Sequence, residues 1–445
     1  MGADSSSAAP AARRQGLLRA LRHRNYRLFF GGQSLSLLGT WITRLAVSWL
    51  TWRLTHSAVL LGVVGFAGQI PTFLLGPVAG VWVDRLDRHR VLLATQVLAL
   101  VQSFALAALA IPGVIQVWHI IALQVFQGAI NAFDTPARQA FLVDMVEDRA
   151  DLPNAIALNS SMVNVARLVG PSVAGVLIAS IGEGWCFFVD GVTYFAIVGS
   201  LLAMRVARRA RPEVRKKVLH DLHDGLRYAF GLAPIRAVLL LLALVGFAGM
   251  PYTVLLPVIA AETLHGDSHT LGFLMGATGI GALGGAFVLA SRDTVIGLGG
   301  WIPRASALFG LGLMAVGLSR WLPLSLPIMV VTGFGFMVQL ASSNTVIQTL
   351  VREDMRGRVM AFYGMAFMGV TPFGSLIAGA LASRVGAPWT VFGGGLLCVL
   401  GAAVFYRQLP ALREVVRPIY VERGVLPAVA QGLRSATALE ERATW

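Results

Sequence analysis

The chain has 445 residues, 56% of them hydrophobic and only 13% charged, with a formal net charge of +14. A soluble domain carries about 25% charged residues, so this composition excludes a water-soluble fold of such length and makes the bilayer the main solvent. The two cysteines, Cys186 and Cys398, each lie inside an apolar run, and no Cys-x-x-Cys or metal-ligand spacing occurs, which excludes a disulfide or cluster framework.

The segment 1–25 is Ser/Ala-rich and then basic, at Arg13, Arg14, Arg19, Arg22 and Arg24. No short apolar core precedes a small-residue cleavage site, so it reads as a cytoplasmic tail without a cleaved signal peptide. A crossing takes about 20 apolar residues for roughly 30 Å of hydrocarbon. Twelve such stretches follow, at 26–52, 58–80, 91–111, 116–137, 154–181, 185–204, 236–260, 270–290, 301–319, 324–348, 357–383 and 389–407. The pattern predicts an all-α membrane protein of twelve transmembrane helices in two pseudo-symmetric six-helix bundles, 26–204 and 236–407. Between them, 205–235 carries Arg205, Arg208, Arg209, Arg211, Arg215, Lys216 and Lys217, then Leu219, Leu222, Leu226 and Phe230 at helical spacing, the pattern of a cytoplasmic amphipathic linker. The tail 408–445, with Pro410, Pro418 and Pro427, reads as an inner-side extension of little fixed structure.

Sidedness follows from the basic residues. With both ends inside, Arg53, Arg320 and Arg384 fall outside and Arg44 and Arg167 within spans; the other Lys and Arg all lie on the inner side. This accounts for the net charge by orientation and by attraction to anionic lipids, and sets aside a nucleic-acid partner. A repeat supports the two halves. Gly175-Val-Leu-Ile-Ala-Ser-Ile-Gly182 with Trp185 and Phe188 matches Gly379-Ala-Leu-Ala-Ser-Arg-Val-Gly386 with Trp389 and Phe392.

In the fourth span Gln124, Gln127, Asn131, Asp134 and Arg138 are spaced 3, 4, 3, 4 and share one helix face. That face either lines a wet cavity or bonds across a packed helix interface, with Asp134 and Arg138 paired. Its repeat partner, the tenth span, shows Gln339 and Ser342. The fifth span carries Ser160, Asn164, Arg167, Gly170, Pro171 and Gly175; Pro predicts a bend, and Gly175 a close neighbour, for which the glycine-rich eighth span (Gly272, Gly276, Gly279) is the candidate. Arg167 is either a substrate or counter-ion contact or the structural partner of an acid. Arg44 shares a face with Gln33, Ser36 and Thr40, and either snorkels to outer headgroups or binds an anionic substrate group. Asp190, a few residues after Trp185, reads as an interface position. Pro251 and Pro257 predict a broken seventh span.

Several signals are set aside. Gly279-Ile-Gly281-Ala-Leu-Gly284 lies within a span, without the strand and acid that a dinucleotide site needs. No Walker loop or His-Glu-x-x-His occurs, and His265 and His269 are too few for a metal site. No cofactor and no enzymatic activity are expected.

The loop after the second span reads Gly80-Val81-Trp82-Val83-Asp84-Arg85-Leu86-Asp87-Arg88-His89-Arg90. It resembles the loop between helices 2 and 3 of major facilitator superfamily transporters, Gly-x-x-x-Asp-Arg-x-Gly-Arg-Arg/Lys, with Asp87 and His89 as departures. The resemblance covers nearly 20–407. Within the superfamily, Asn131-Ala-Phe-Asp134-Thr-Pro136-Ala-Arg138 and Arg167-Leu-Val-Gly170-Pro171 resemble a bacterial exporter group that includes enterobactin-type siderophore exporters and macrolide efflux proteins. The fourth-helix pattern Arg-x-x-Gln-Gly appears here as Gln124-x-x-Gln127-Gly128, without the Arg linked to proton handling in relatives. Gly170-Pro171 and Gly175 are a partial match to the fifth-helix motif of antiporters, with Ala174 in place of a Gly.

The resemblance implies a monomeric exporter of a small drug-like or siderophore-like molecule in the bacterial inner membrane, working by alternating access and proton antiport. Import, a lipid-like substrate, and a transport-inactive receptor or scaffold are the alternatives. Asp134 is the candidate proton carrier, or else part of a fixed inner salt bridge. Gly80, Asp84, Arg85 and Arg88, facing Arg356 and Arg358 at the start of the eleventh span, form either a conformational latch on the inner side or charges that serve topology alone.

Overall fold

A computed structural model describes residues 18–205, 218–292 and 294–423. The described residues are helical, with no strand among them. The first half comprises α1 (Arg24–Thr55), α2 (Ala58–Arg85), α3 (Arg88–Ala110), α4 (Val117–Leu142) and α5 (Leu152–Ala203). Helix α5 is two rods in sequence, because Gly182 breaks it with φ 80° and ψ 165°. After α6 (Val218–Gly231), the second half begins with α7 (Ala233–Leu244) and α8 (Tyr252–Val258). These form one interrupted rod with π-helical turns at Val245–Gly249 and Ile259–Thr263. Pro251 and Pro257 lack the N–H that a regular ladder needs, and the wider turns absorb the loss. There follow α9 (Ser268–Ala290), α10 (Leu298–Leu318), α11 (Leu322–Leu350), α12 (Arg356–Gly364), α13 (Thr371–Val385) and α14 (Ala387–Glu422), with a π turn at Met365–Gly369 joining α12 to α13.

Among the described residues, nine helical stretches are long and apolar enough to cross a membrane. The stretch 149–203 counts once there although Gly182 folds it back on itself, and α1 and α4 fall outside that set. Side-chain caps fix several starts: Ser57 Oγ accepts from the Leu60 N–H, Asp87 from those of His89 and Arg90, and Asp267 from those of His269 and Thr270.

The repeat seen in the sequence has a backbone counterpart. Gly386 ends α13 with φ 88° and ψ 151°, close to Gly182. Trp185 and Phe188 meet edge to face at 5.6 Å and 73°, Trp389 and Phe392 at 5.7 Å and 69°.

The rods define two ends of the molecule. The terminal end holds the start of α1 and the α2–α3 and α4–α5 connections; the distal end holds Gly182, Gly386 and the α1–α2 connection. The halves meet at the distal end through two glycine crossings related by the repeat. At Gly379 an added Cβ would lie 2.6 Å from the Ala58 carbonyl oxygen and 3.0 Å from Gly62 Cα; at Gly175 it would lie 2.7 Å from the Ser268 carbonyl oxygen and 3.1 Å from Gly272 Cα. Only glycine lets these backbones approach so closely. The apolar core reports the same asymmetry. One cluster spans both halves here, joining Leu45, Leu61 and Ala174 to Leu255, Leu271 and Ala378. Toward the terminal end the core splits into one cluster in each half. The molecule is therefore sealed distally and parted at the terminal end.

Two regions differ from the sequence reading. Helix α14 does not stop near 407 but runs to Glu422 through Pro410 and Pro418. Leu409, Leu412 and Tyr420 are buried in the second half's core, and that burial holds the extension in place; residues 424–445 lie outside the described residues. The linker helix α6 packs on α12, with Gly225 against Arg358 and Phe362, while Leu226 and Phe230 stay exposed. The basic residues of 206–217 lie outside the described residues.

Candidate functional site

The polar face of α4 is divided among neighbours. Gln124 packs against Gly68 of α2, and Thr72 donates to the Gly128 carbonyl at 2.8 Å. Gln127 donates to Asn131 at 3.1 Å, and both are half-buried. Asp134, 6% exposed, turns toward α3. It accepts from Thr95 Oγ1 at 3.1 Å and Gln96 Nε2 at 2.6 Å, and faces Arg138 Nη2 at 3.3 Å. The Asp134–Arg138 pair is thus made within one helix and tied to a second.

The arginines behave differently. Arg44 and Arg167 have no hydrogen-bonded or ion-paired partner among the described residues. Both guanidinium groups lie over the ring of Trp41, at 4.8 and 5.9 Å from its centroid. Arg44 is exposed and Arg167 half-buried, and each lies within electrostatic reach of the other. Tyr252, from α8 in the opposite half, is Arg167's other neighbour and faces Thr278. Two cations that share one aromatic platform therefore stand at the seam of the halves. Arg167 lies eight residues, roughly 12 Å of helix rise, from the Gly175 crossing toward the parted end. Asn164, one turn from Arg167, donates to the Ser160 carbonyl and to no other group among the described residues.

The Gly170-Pro171-Gly175 segment is a packing device. The backbone stays helical through Pro171, and Gly182 is the residue of α5 with non-helical dihedrals. Gly170 makes room for Trp41, and the Pro171 carbonyl and Gly175 receive Gly272 of α9.

Gln33, Gln339 and Ser342 are closed off in this state. Gln33 is 2% exposed within the first half; Gln339 and Ser342 are 0% exposed within the second. At the terminal end, Arg88 pairs with Asp144 at 3.3 Å, Arg358 with Asp224 of α6 at 3.6 Å, and Arg356 donates to the Gln348 carbonyl at 3.4 Å. Gly80 has open space around it and Arg85 is exposed. Asp84 belongs to the last turn of α2, and its side chain lies outside the described ones. A cavity of about 440 Å³ lies at this end, lined by Thr345, Gln348, Thr349, Arg356 and Arg423.

The family model described as "Transmembrane secretion effector" matches residues 16–419. The chain belongs to this family. It is a major facilitator superfamily exporter by descent. It is 28% identical to the staphyloferrin A transporter of Staphylococcus aureus over 85% of this chain and 94% of the relative. Against the multidrug efflux pump Tap of Mycolicibacterium fortuitum it is 26% identical (85% and 93% covered), and against macrolide efflux protein A of Streptococcus pyogenes 23% (84% and 95%). In fold it is similar to a D-xylose–proton symporter, with TM-score 0.67, 14% identity and 88% and 98% of the two chains covered. A bacterial homologue of Spinster, solved inward-facing and unoccupied, gives TM-score 0.66 at 16% identity, with 88% and 98% covered.

For a transmembrane secretion effector, one buried acid of the first half escaped the sequence reading. Asp190 is not at an interface: it is 1% exposed, enclosed by α1, α3 and its own helix. Its signal was present in the third span, where Thr95 and Gln96 recur two turns later as Gln102 and Ser103. A polar stripe of that kind in an apolar helix needs a polar partner.

Proposed function

We propose that this secretion effector exports a small organic anion or anionic amphiphile from the cytoplasm across the bacterial inner membrane, by alternating access coupled to proton entry, with both termini cytoplasmic. Twelve crossings follow if α1 and α4 span and α5 crosses twice at Gly182. The terminal end is then the cytoplasmic end, and the described state is open to the cytoplasm and ready to load.

The observation that carries this reading is the acid-free pair Arg44 and Arg167 about Trp41. An unpaired cation at membrane depth is costly, and two without a carboxylate call for an anion from elsewhere. The aromatic ring beside them favours a flat or apolar body attached to that anion. The likeness to a siderophore transporter and to efflux pumps supports export; Gln127, Asn131 and Asn164 would line the route, and Gln339 and Ser342 would join it on reversal. Asp134 would carry the coupling proton. One elementary charge crossing 100 mV is worth about 2.3 kcal/mol, enough for a roughly fifty-fold gradient before any pH term. On reversal the terminal ends would close, with Asp84 latching onto Arg356 and Arg358.

Everted membrane vesicles test this with two dyes of opposite charge, carboxyfluorescein and ethidium. Energised wild-type vesicles accumulate carboxyfluorescein. Arg167→Gln lowers that accumulation by about 10- to 100-fold, the worth of a hydrogen bond to a charged group, while Arg53→Gln at the distal surface leaves it unchanged. Accumulation of ethidium alone, or an unchanged rate in Arg167→Gln and Arg44→Gln, overturns the anion reading.

A further inference from the structure

Of the buried acids among the described residues, Asp190 is the one without an ion-pair partner. Asp190 Oδ2 accepts from Thr43 Oγ1 at 2.7 Å and from Ser103 Oγ at 2.8 Å. Its Oδ1 is fully buried and has no hydrogen-bond partner. The groups that face it are neutral: Gly39 and Thr43 from α1, Ser103 from α3, and Thr193 and Tyr194 from its own rod. No cation among the described residues pairs with it, and Arg44, one residue on from Thr43, turns away to the Trp41 ring. A bare carboxylate so placed would be an uncompensated charge in the interior of the bundle. The open oxygen is where a proton resolves that.

The site is also connected. Tyr194, one turn along from Asp190, lies within electrostatic reach of Asp190, Asp134 and Arg138. Its hydroxyl is 3.3 Å from Thr40 Oγ1. On α3 the Asp190 partner Ser103 and the Asp134 partner Gln96 are two turns apart, roughly 11 Å of rise. Two acids thus stand at different depths of one bundle with hydroxyl and amide groups between them.

We propose that Asp190 is a proton-binding site of the N-terminal bundle, separate from the substrate crevice and linked to Asp134 through Tyr194 and Thr40. The step is an addition of H⁺ to Oδ1, converting carboxylate to carboxylic acid, with no other bond made or broken. A proton fits better than a metal cation, because the Thr43 and Ser103 hydroxyls are turned to Oδ2 and no oxygen among the described residues joins Oδ1 to complete a ligand set. The use of this proton to drive transport rests on the export reading; the site itself does not.

Infrared spectroscopy of the full chain in lipid nanodiscs separates the two. In mildly acidic buffer the wild type shows the C=O stretch of a protonated, desolvated carboxyl, which disappears as the pH is raised; Asp190→Asn removes it, Asp190→Glu keeps it at a shifted frequency, and Asp134→Asn leaves it in place. Absence of the band in wild type, or its persistence in Asp190→Asn, overturns the assignment. So does loss of the band when sodium replaces choline at fixed pH, which would make the site a cation site. In everted vesicles Asp190→Asn loses proton-driven carboxyfluorescein accumulation while keeping dye exchange at equilibrium; unchanged accumulation overturns the coupling role. If wild type moves no dye at all, export fails as a reading and the infrared result still decides the site.

Discussion

The distal seam makes the most quantitative prediction. Gly379→Ala places a methyl carbon 2.6 Å from the Ala58 carbonyl oxygen and 3.0 Å from Gly62 Cα, where ordinary contact begins at 3.4 Å. Both obstacles are backbone, so neither swings aside as a flexible side chain would. The rods must part by about 0.8 Å, the shortfall at the carbonyl. Overpacking of this kind costs about 1–3 kcal/mol. The cost falls only on the sealed state, so the population of the distally open state rises roughly 5- to 150-fold, at tenfold per 1.4 kcal/mol. Val64, 5% exposed in the shared core beside the crossing, is a suitable reporter. Val64→Cys, in a background of Cys186→Ala and Cys398→Ala, is labelled by a membrane-impermeant maleimide only when the seam opens. Labelling from the distal face accelerates by that factor in Gly379→Ala and by a similar factor in Gly175→Ala. Gly393→Ala is the control, because nothing lies within 4 Å of its added Cβ. Equal acceleration by Gly393→Ala, or none by Gly379→Ala, refutes the account of the seam.

Three further outcomes follow from the same geometry. Gly182→Ala and Gly386→Ala, at φ 80° and 88° with extended ψ, each destabilise by about 1–3 kcal/mol, read as a lower midpoint of thermal unfolding in detergent. Arg53→Ala removes the 2.9 Å bridge and leaves the Glu183 carboxylate, 8% exposed, without its cation, so it destabilises by about 1–3 kcal/mol on the same readout. Asp134→Ala strands Gln96, Thr95 and Arg138 and destabilises by about 1–3 kcal/mol; Asp134→Asn retains most of that stability and abolishes proton-driven dye accumulation, and normal drive in that variant removes Asp134 from coupling.

Much of this architecture is legible in the chain because the bilayer imposes it. Long apolar runs, basic inner loops and the Gly-Trp-Phe repeat are one-dimensional signals of helices, orientation and pseudo-symmetry. The broken seventh rod was legible from Pro251 and Pro257, and the α5–α9 contact from two runs of glycine. What a single chain does not display is which neighbour a polar side chain meets. The α4 face reads as one stripe, yet Gln124 answers to α2 and Asp134 to α3. Asp190 reads as a residue near a boundary, because its depth depends on where Gly182 turns the chain and on α1 and α3 closing over it. The extension of α14 was hidden for a similar reason: its prolines argue against helix locally, and the burial of Leu409, Leu412 and Tyr420 outweighs them.

If protons bind at Asp190 and the substrate at Arg44 and Arg167, the two sites do not compete for the same space, and coupling has to be mechanical. Helix α1 is the element placed to supply it. Thr43 donates to Asp190 inside the bundle, and the next residue, Arg44, faces Trp41 and the crevice outside it. Adjacent residues on a helix point about 100° apart, so α1 acts as the wall between the two compartments. A proton gained at Oδ1 turns Oδ2 from a carboxylate oxygen into a neutral carbonyl oxygen and so weakens the bond it accepts from Thr43, and a rotation of α1 that answers this change moves Arg44 relative to Arg167. The same helix meets α5 at Trp41 and Gly170, beside the crossing that seals the distal end. Thr43→Val tests the arrangement directly: it keeps shape and removes the hydroxyl. It therefore leaves dye binding at Arg44 intact and uncouples accumulation from the proton gradient; loss of dye binding in that variant would instead place Thr43 in the substrate site.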